Sequence, residues 1–132
     1  MPSANSAPLI LIVEDSATQA KQVAAYLSGR NVDVVIASDG AQALRLVTVH
    51  DPDLIILDIN LPKMDGYQVC RRLKRDPATA QIPIIMLTSA MEASDRLRGI
   101  AAGAIEYIPK DQFAIEYLLN ALETLNLLEP SE

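Results

Sequence analysis

Residues 54–57 read Leu-Ile-Ile-Leu, apolar at every position, and Asp58 closes the run at once. A strand sends successive side chains to opposite faces, so a run without alternation needs apolar cover on both sides. The same signature recurs at 9–13 (LILIV), 32–37 (VDVVIA) and 82–87 (IPIIML), with a weaker fifth run, EYI, at 106–108. A chain built on such strands has to sandwich them, and this restricts the fold more than any other feature.

The segments between the runs supply the cover. Ala20, Val23, Ala24 and Leu27 recur at helical spacing, as do Ala93, Leu97, Ile100 and Ala101, and then Ile115, Leu118, Leu122 and Leu125. Asp39-Gly40 and Asp65-Gly66 mark turns ahead of the second and third helices, and Gly29 and Gly103 stand where helices should stop. Five strand–helix units in alternation predict a doubly wound α/β domain with a five-stranded parallel sheet and right-handed crossovers. The length of 132 residues, half of them apolar, suits one such domain. We place it at 8–128, with a disordered N-terminal tail over 1–7 and a C-terminal tail over 129–132.

Charge and cysteine content narrow the function classes. A net charge of −6 opposes nonspecific nucleic-acid binding, which needs a basic face. The single cysteine, Cys70, excludes an internal disulfide framework and suits a reducing compartment. The start MPSANSAP has no basic n-region, and the run 9–13 is too short to span a bilayer. The expectation is a soluble, cytoplasmic protein with no membrane partner.

In open parallel sheets, ligands sit beyond the carboxyl ends of the strands, where strand order reverses. The first run ends in Glu14-Asp15, the third in Asp58 with Asn60 two residues on, the fourth in Thr88-Ser89, and the fifth is followed by Lys110. Any one acid there is ordinarily a cap or turn former; three acids, a hydroxyl and a lysine on one edge are a constellation. Clustered carboxylates repel, so either some of their pKa values rise or a cation joins them. A hard divalent ion such as Mg²⁺ suits oxygen ligands and tolerates phosphate oxygens in its remaining positions. Phosphoryl transfer needs little beyond that metal, a lysine and a hydroxyl around the moving group. Asp58, at the end of the most apolar strand, is the natural nucleophile, and Glu14 with Asp15 looks like a metal cradle.

The blocks LIVEDS, DLIILDINLPKMDGYQV, PIIMLTS and GAIEYIPK resemble those of the response-regulator receiver domain of two-component signalling, in order, from about Leu9 to Leu127. The resemblance implies strand order 2-1-3-4-5 in a flavodoxin-like (CheY-like) three-layer sandwich. It implies a phosphoryl group accepted on Asp58 from a histidine kinase or a histidine phosphotransfer protein. Mg²⁺ or Mn²⁺ would be held by Asp15, Asp58 and the backbone carbonyl of Asn60, with Glu14 acting through water. Thr88 and Lys110 would contact the phosphoryl group, and Tyr107 would be the aromatic that turns inward as the loop after the fourth strand closes. The readout face would be helix four, strand five and helix five, serving an output protein, a fused output domain or a phosphorylation-dependent homodimer. Such a domain is not an enzyme beyond its own phosphorylation and slow dephosphorylation.

One departure stands at the lysine. Family members usually follow it with proline, often through a cis peptide; here Pro109 precedes it and Asp111 follows. A cis bond before a non-proline residue costs about 3–4 kcal/mol, so Lys110-Asp111 is expected to be trans. Asp111 then becomes the candidate N-cap or first-turn acid of the last helix. Three alternatives use the same residues. A phosphohydrolase of the haloacid dehalogenase type would carry a second Asp where Asn60 stands. A flavin or dinucleotide module would need a glycine cradle in place of EDSATQ. A degenerate receiver that only docks partners would have lost site positions that are all present here. The remaining candidates have structural roles: RRLKR (71–75) as a solvated helix face, His50 as a helix-end cation, Cys70 as packing. Arg96 and Arg98 are candidates for meeting an acidic partner.

Overall fold

The computed structural model describes residues 7–89 and 92–128. Five strands, β1 (Leu9–Val13), β2 (Asp33–Ala37), β3 (Leu54–Leu57), β4 (Ile84–Thr88) and β5 (Glu106–Pro109), alternate with α1 (Ala17–Leu27), α2 (Gly40–His50), α3 (Gly66–Arg75), α4 (Ala93–Ala102) and α5 (Ala114–Thr124). All pairings are parallel and the order is β2-β1-β3-β4-β5. The expected α/β topology is present, with β3 in the centre. Of the expected tails, Ala7 alone lies within the described residues.

The two-faced strands explain the three layers. Leu54 and Ile56 of β3 join Ile10, Ile12, Ile85 and Leu87 in a core closed by α1 and α5. Ile55 and Leu57 point the other way and join Leu11, Val13, Ile84 and Met86 under α2 and α3. Each aliphatic side chain taken fully out of water adds roughly 1.5–3 kcal/mol, so β3, buried at all four positions, anchors both layers. At the sheet edge β2 is only partly covered, and Ile36 is exposed.

Capping fixes where the helices begin. Ser16, Asp39 and Asp65 each accept a hydrogen bond from the backbone N–H three residues on, that of Gln19, Gln42 and Gln68. Gly103, with φ of 115°, ends α4 in the left-handed conformation.

Two expectations need correction. The stripe Ala93, Leu97, Ile100 and Ala101 is not the core face of α4: all four are exposed, and the buried residues are Gly99 and Ala102. A Cβ at Gly99 would stand 2.8 Å from Met86 Sδ and 3.0 Å from the Tyr107 ring. The helix thus approaches the sheet through its smallest residue, and its larger apolar side chains are left outside. Asp111 neither caps α5 nor lies in its first turn, because the helix starts three residues later with Phe113 at the N-cap. Its carboxylate instead accepts from the Phe113 N–H at 2.8 Å, an Asx turn that leads into the helix. No peptide among the described residues is cis, so Lys110-Asp111 is trans as expected.

Candidate functional site

Register carries the site residues to one edge. Val13 and Leu57 are paired, so the residues that follow them, Glu14 and Asp58, emerge side by side above β1 and β3. Their backbones are tied down: the Glu14 N–H donates to the Ala37 carbonyl at 2.9 Å, and the Asp58 N–H to the Val13 carbonyl at 3.0 Å. The N-terminus of α3 presses on the same point, since a Cβ on Gly66 would lie 2.4 Å from the Asp58 carbonyl oxygen. Only a residue without a side chain permits that approach.

Glu14, Asp15 and Asp58 each offer a carboxylate oxygen within 4.8 Å of the other two; Glu14 and Asp58 are buried and Asp15 is exposed. Lys110 reaches into this group from the end of β5. Its ammonium donates to Glu14 Oε1 at 2.5 Å, to Asp58 Oδ2 at 3.0 Å and to Gln19 Oε1 at 2.5 Å. An ammonium has three N–H donors, and all three are used. The lysine's reach therefore survives the displaced proline; its backbone N–H donates to the Thr88 carbonyl at 2.8 Å, which continues the strand pairing by one residue.

Burial raises the Glu14 carboxyl above its usual range and the Asp58 charge adds to this, against the hydrogen bonds from Lys110 and the Ser16 N–H. For Lys110 burial acts to lower the pKa. The hydrogen bonds and charges of Glu14 and Asp58 outweigh it, and the net shift is upward. Like charges and desolvation are thus balanced by one cation among three acids. An all-oxygen donor set with surplus negative charge, open on one side through exposed Asp15, fits a hard divalent ion.

A cavity of about 720 Å³ opens over this edge, lined by Glu14, Asp15, Gln19, Asp58, Asn60 and Lys110 among others. Ser89 lines it as well, whereas Thr88 is fully buried at the end of β4. The Asn60 N–H donates to Asp58 Oδ1 at 3.3 Å, which turns the loop after β3 back over the acid. Tyr107 lies on the far side of β4, buried, lining a second groove of about 470 Å³ between α4 and α5. Burial pushes its hydroxyl up to about 12, and it is hydrogen-bonded to Tyr67.

Two residues beyond the expected set take part. Tyr67 links α3 to α4, its hydroxyl donating to the Asp95 carbonyl at 3.0 Å, and Arg98 lies 4.1 Å above its ring. Arg98 is thereby engaged within the protein, and Arg96 is the arginine that borders the groove. Sequence gives Tyr67 no mark beyond a helical position. Gln19 has a misleading one, because Ser16-x-x-Gln19 is a capping-box pattern that assigns its side chain to α1 itself. Among the residues read as structural, Lys74 is only partly a solvated charge. It donates to the Ala80 and Ile82 carbonyls at 2.9 and 2.6 Å. Cys70 is fully buried, with burial pushing its thiol up to about 11, and packs as expected.

Residues 10–123 match the family described as the response regulator receiver domain. The chain is 40% identical over 118 residues to the DNA-binding dual master transcriptional regulator RpaA of Synechocystis, covering 89% of this chain and 48% of that protein. It thus spans about half the length of that relative, and less of several others. Among solved structures, the chemotaxis response regulator CheY4 of Vibrio cholerae superposes with a TM-score of 0.81 at 29% identity, over 90% of this chain and 98% of that one. The receiver domain of the sensor histidine kinase PA1611 of Pseudomonas aeruginosa, solved with a magnesium ion coordinated in its active-site cleft, gives 0.80 at 30% identity, over 89% and 96%. Fold, acidic edge and sequence agree: the chain belongs to the response-regulator receiver domain family.

Proposed function

We propose that this domain accepts a phosphoryl group on Asp58 from a phosphohistidine of a histidine kinase or phosphotransfer protein and reports it through α4, β5 and α5. The observation that carries this is the convergence of Asp58, Glu14 and Lys110 in direct hydrogen-bonded contact at the carboxyl edge of the sheet. An Asp58 oxygen attacks phosphorus, the N–P bond of the donor breaks, and its electron pair stays on the imidazole nitrogen. Asp15, Asp58 and the Asn60 carbonyl, with Glu14 acting through water, would hold Mg²⁺ or Mn²⁺, which would supply charge neutralisation for the carboxylates and phosphoryl oxygens. Lys110 leaves its carboxylate partners to pair with the new phosphoryl oxygens, and Thr88 offers its hydroxyl to another. The chemistry is confined to the domain's own phosphorylation and slow dephosphorylation.

Readout at α4, β5 and α5 is supported by the exposed apolar side chains there, Leu97, Ile100 and Tyr117. Tyr107, with its ring against Gly99 of α4, couples β5 to that helix. An output protein, a fused output domain or a second copy of the domain is the recipient. No helix among the described residues is long and apolar enough to cross a membrane, in keeping with a cytoplasmic site of action. The test is intact mass after exposure to acetyl phosphate and Mg²⁺. One phosphoryl group is expected on the wild-type chain and none on Asp58→Asn; an equal gain in the variant overturns the assignment.

A further inference from the structure

Three helices of this protein begin with the same arrangement, a capping side chain followed three residues later by glutamine: Ser16 and Gln19, Asp39 and Gln42, Asp65 and Gln68. Two of those glutamines serve their own helix start. Gln68 Oε1 accepts from the Asp65 N–H at 3.0 Å, and Gln42 Oε1 accepts from the Ser38 N–H at 2.6 Å. Gln19 does not. The Ser16 N–H that it would take in a capping box donates instead to Glu14 Oε2 at 3.1 Å, and Gln19 Oε1 accepts from Lys110 Nζ, 91 residues away in sequence.

We propose that Gln19 is a positioning residue for Lys110, holding its ammonium at the mouth of the phosphoacceptor pocket. The inference rests on the proposed role of Asp58. Of the three acceptors of Lys110, Glu14 and Asp58 are anionic, and both are needed elsewhere once a cation and a phosphoryl group are present. Gln19 is neutral and has no such second role. It can keep one N–H of the ammonium through the whole reaction without competing for charge, while the other two turn from carboxylates to phosphoryl oxygens. The amide is well placed for this. Its own backbone N–H is fixed by Ser16 Oγ at 3.2 Å, so α1 holds the glutamine independently of its side chain. A lysine stem is otherwise free to turn into solvent.

The test compares Gln19→Leu, which cannot accept, with Gln19→Glu, which can, each in the wild-type and Lys110→Ala backgrounds. Two quantities are followed: the rate of Asp58 phosphorylation by acetyl phosphate with Mg²⁺, and the side-chain ¹⁵N resonance of the Lys110 ammonium in the chain without phosphodonor. In Gln19→Leu the rate should fall about three- to tenfold, the worth of one charge-assisted hydrogen bond at a partly exposed site. The ammonium resonance should broaden through faster exchange with water, and Gln19→Glu should restore it. In Lys110→Ala, Gln19→Leu should change the rate no further. An unaltered rate and resonance in Gln19→Leu, or the same fractional loss without Lys110, overturns the inference. A wild-type chain that gains no phosphoryl group overturns the role of Asp58 instead, and the ammonium resonance still decides between Gln19 as a holder of Lys110 and Gln19 as a bystander.

Discussion

Helices α4 and α5 flank the same strand and carry the same helical spacing of apolar residues, yet they are held in opposite ways. α5 buries Leu118 and Leu122 completely in the core it shares with α1. α4 turns its leucine and isoleucine outward, Leu97 being 71% and Ile100 46% exposed, and meets the sheet through Gly99 and Ala102. Little apolar area therefore anchors α4, and polar contacts to α3 do much of the holding: the Tyr67 hydroxyl on the Asp95 carbonyl, and the Arg98 guanidinium over the Tyr67 ring. A helix secured by directional contacts rather than by burial can shift at small cost, and elements that move in signalling are drawn from that end of the stability range. The difference makes α5 the firmly packed helix of the pair and α4 the loosely held one.

The largest effect should come from exchanging like for like across the two helices. Leu118→Ala is expected to cost about 2–5 kcal/mol by removing buried side-chain volume, and Leu97→Ala no more than about 0.5 kcal/mol. Chemical denaturation of both variants measures this, and equal losses would erase the contrast. Next is the contact that seats α4. Gly99→Val forces a branched side chain against Met86 and the Tyr107 ring and should cost about 1–3 kcal/mol. Because the strain falls on α4, its amides should exchange faster while those of α5 keep their protection; uniform acceleration would mean that the two helices are not separate units.

The smallest effect is a pH dependence. Burial disfavours the phenolate and pushes the Tyr107 hydroxyl up to about 12, against 10.0 for the free side chain. Between those values the unfolded chain binds fewer protons than the native one, so stability falls as pH rises. Tyr107 should contribute a loss of about 1 kcal/mol over the first pH unit above 10, and Tyr107→Phe should remove that share. Lys110, also raised, contributes with the same sign, its stabilisation being complete below its ordinary pKa and lost as pH rises further. A wild-type slope retained in Tyr107→Phe would place the late-titrating group elsewhere.

How much of this was legible in the sequence follows from what each residue depends on. The two-faced runs specified the strands, and for β1, β3 and β4 their burial, because alternation is a local property that any sandwiching must respect; at the edge strand β2 cover depended on what lies beyond it. The acids at the strand ends were legible for the same reason: once the strands are parallel, the residue after each one lands on a single edge. α4 was misread because its apolar spacing is that of a buried helix, and nothing local says that a glycine, not a leucine, will be the side that fits under Met86 and Tyr107. Asp111 was misread because an acid before a helix is a cap in most settings; where the helix starts was decided by the chain's path out of β5.

The sequence by itself determined the layers, the strand ends and the identity of the acids and the lysine that meet there, since periodicity and spacing are written residue by residue. Only the tertiary structure decided which partners those groups take. Gln19 lies beside its own helix start in sequence, yet bonds Lys110 just past the last strand, and Tyr67 bridges helices that no local pattern connects. Such contacts join residues dozens of positions apart, and their geometry exists only after the sheet has set the distances between them.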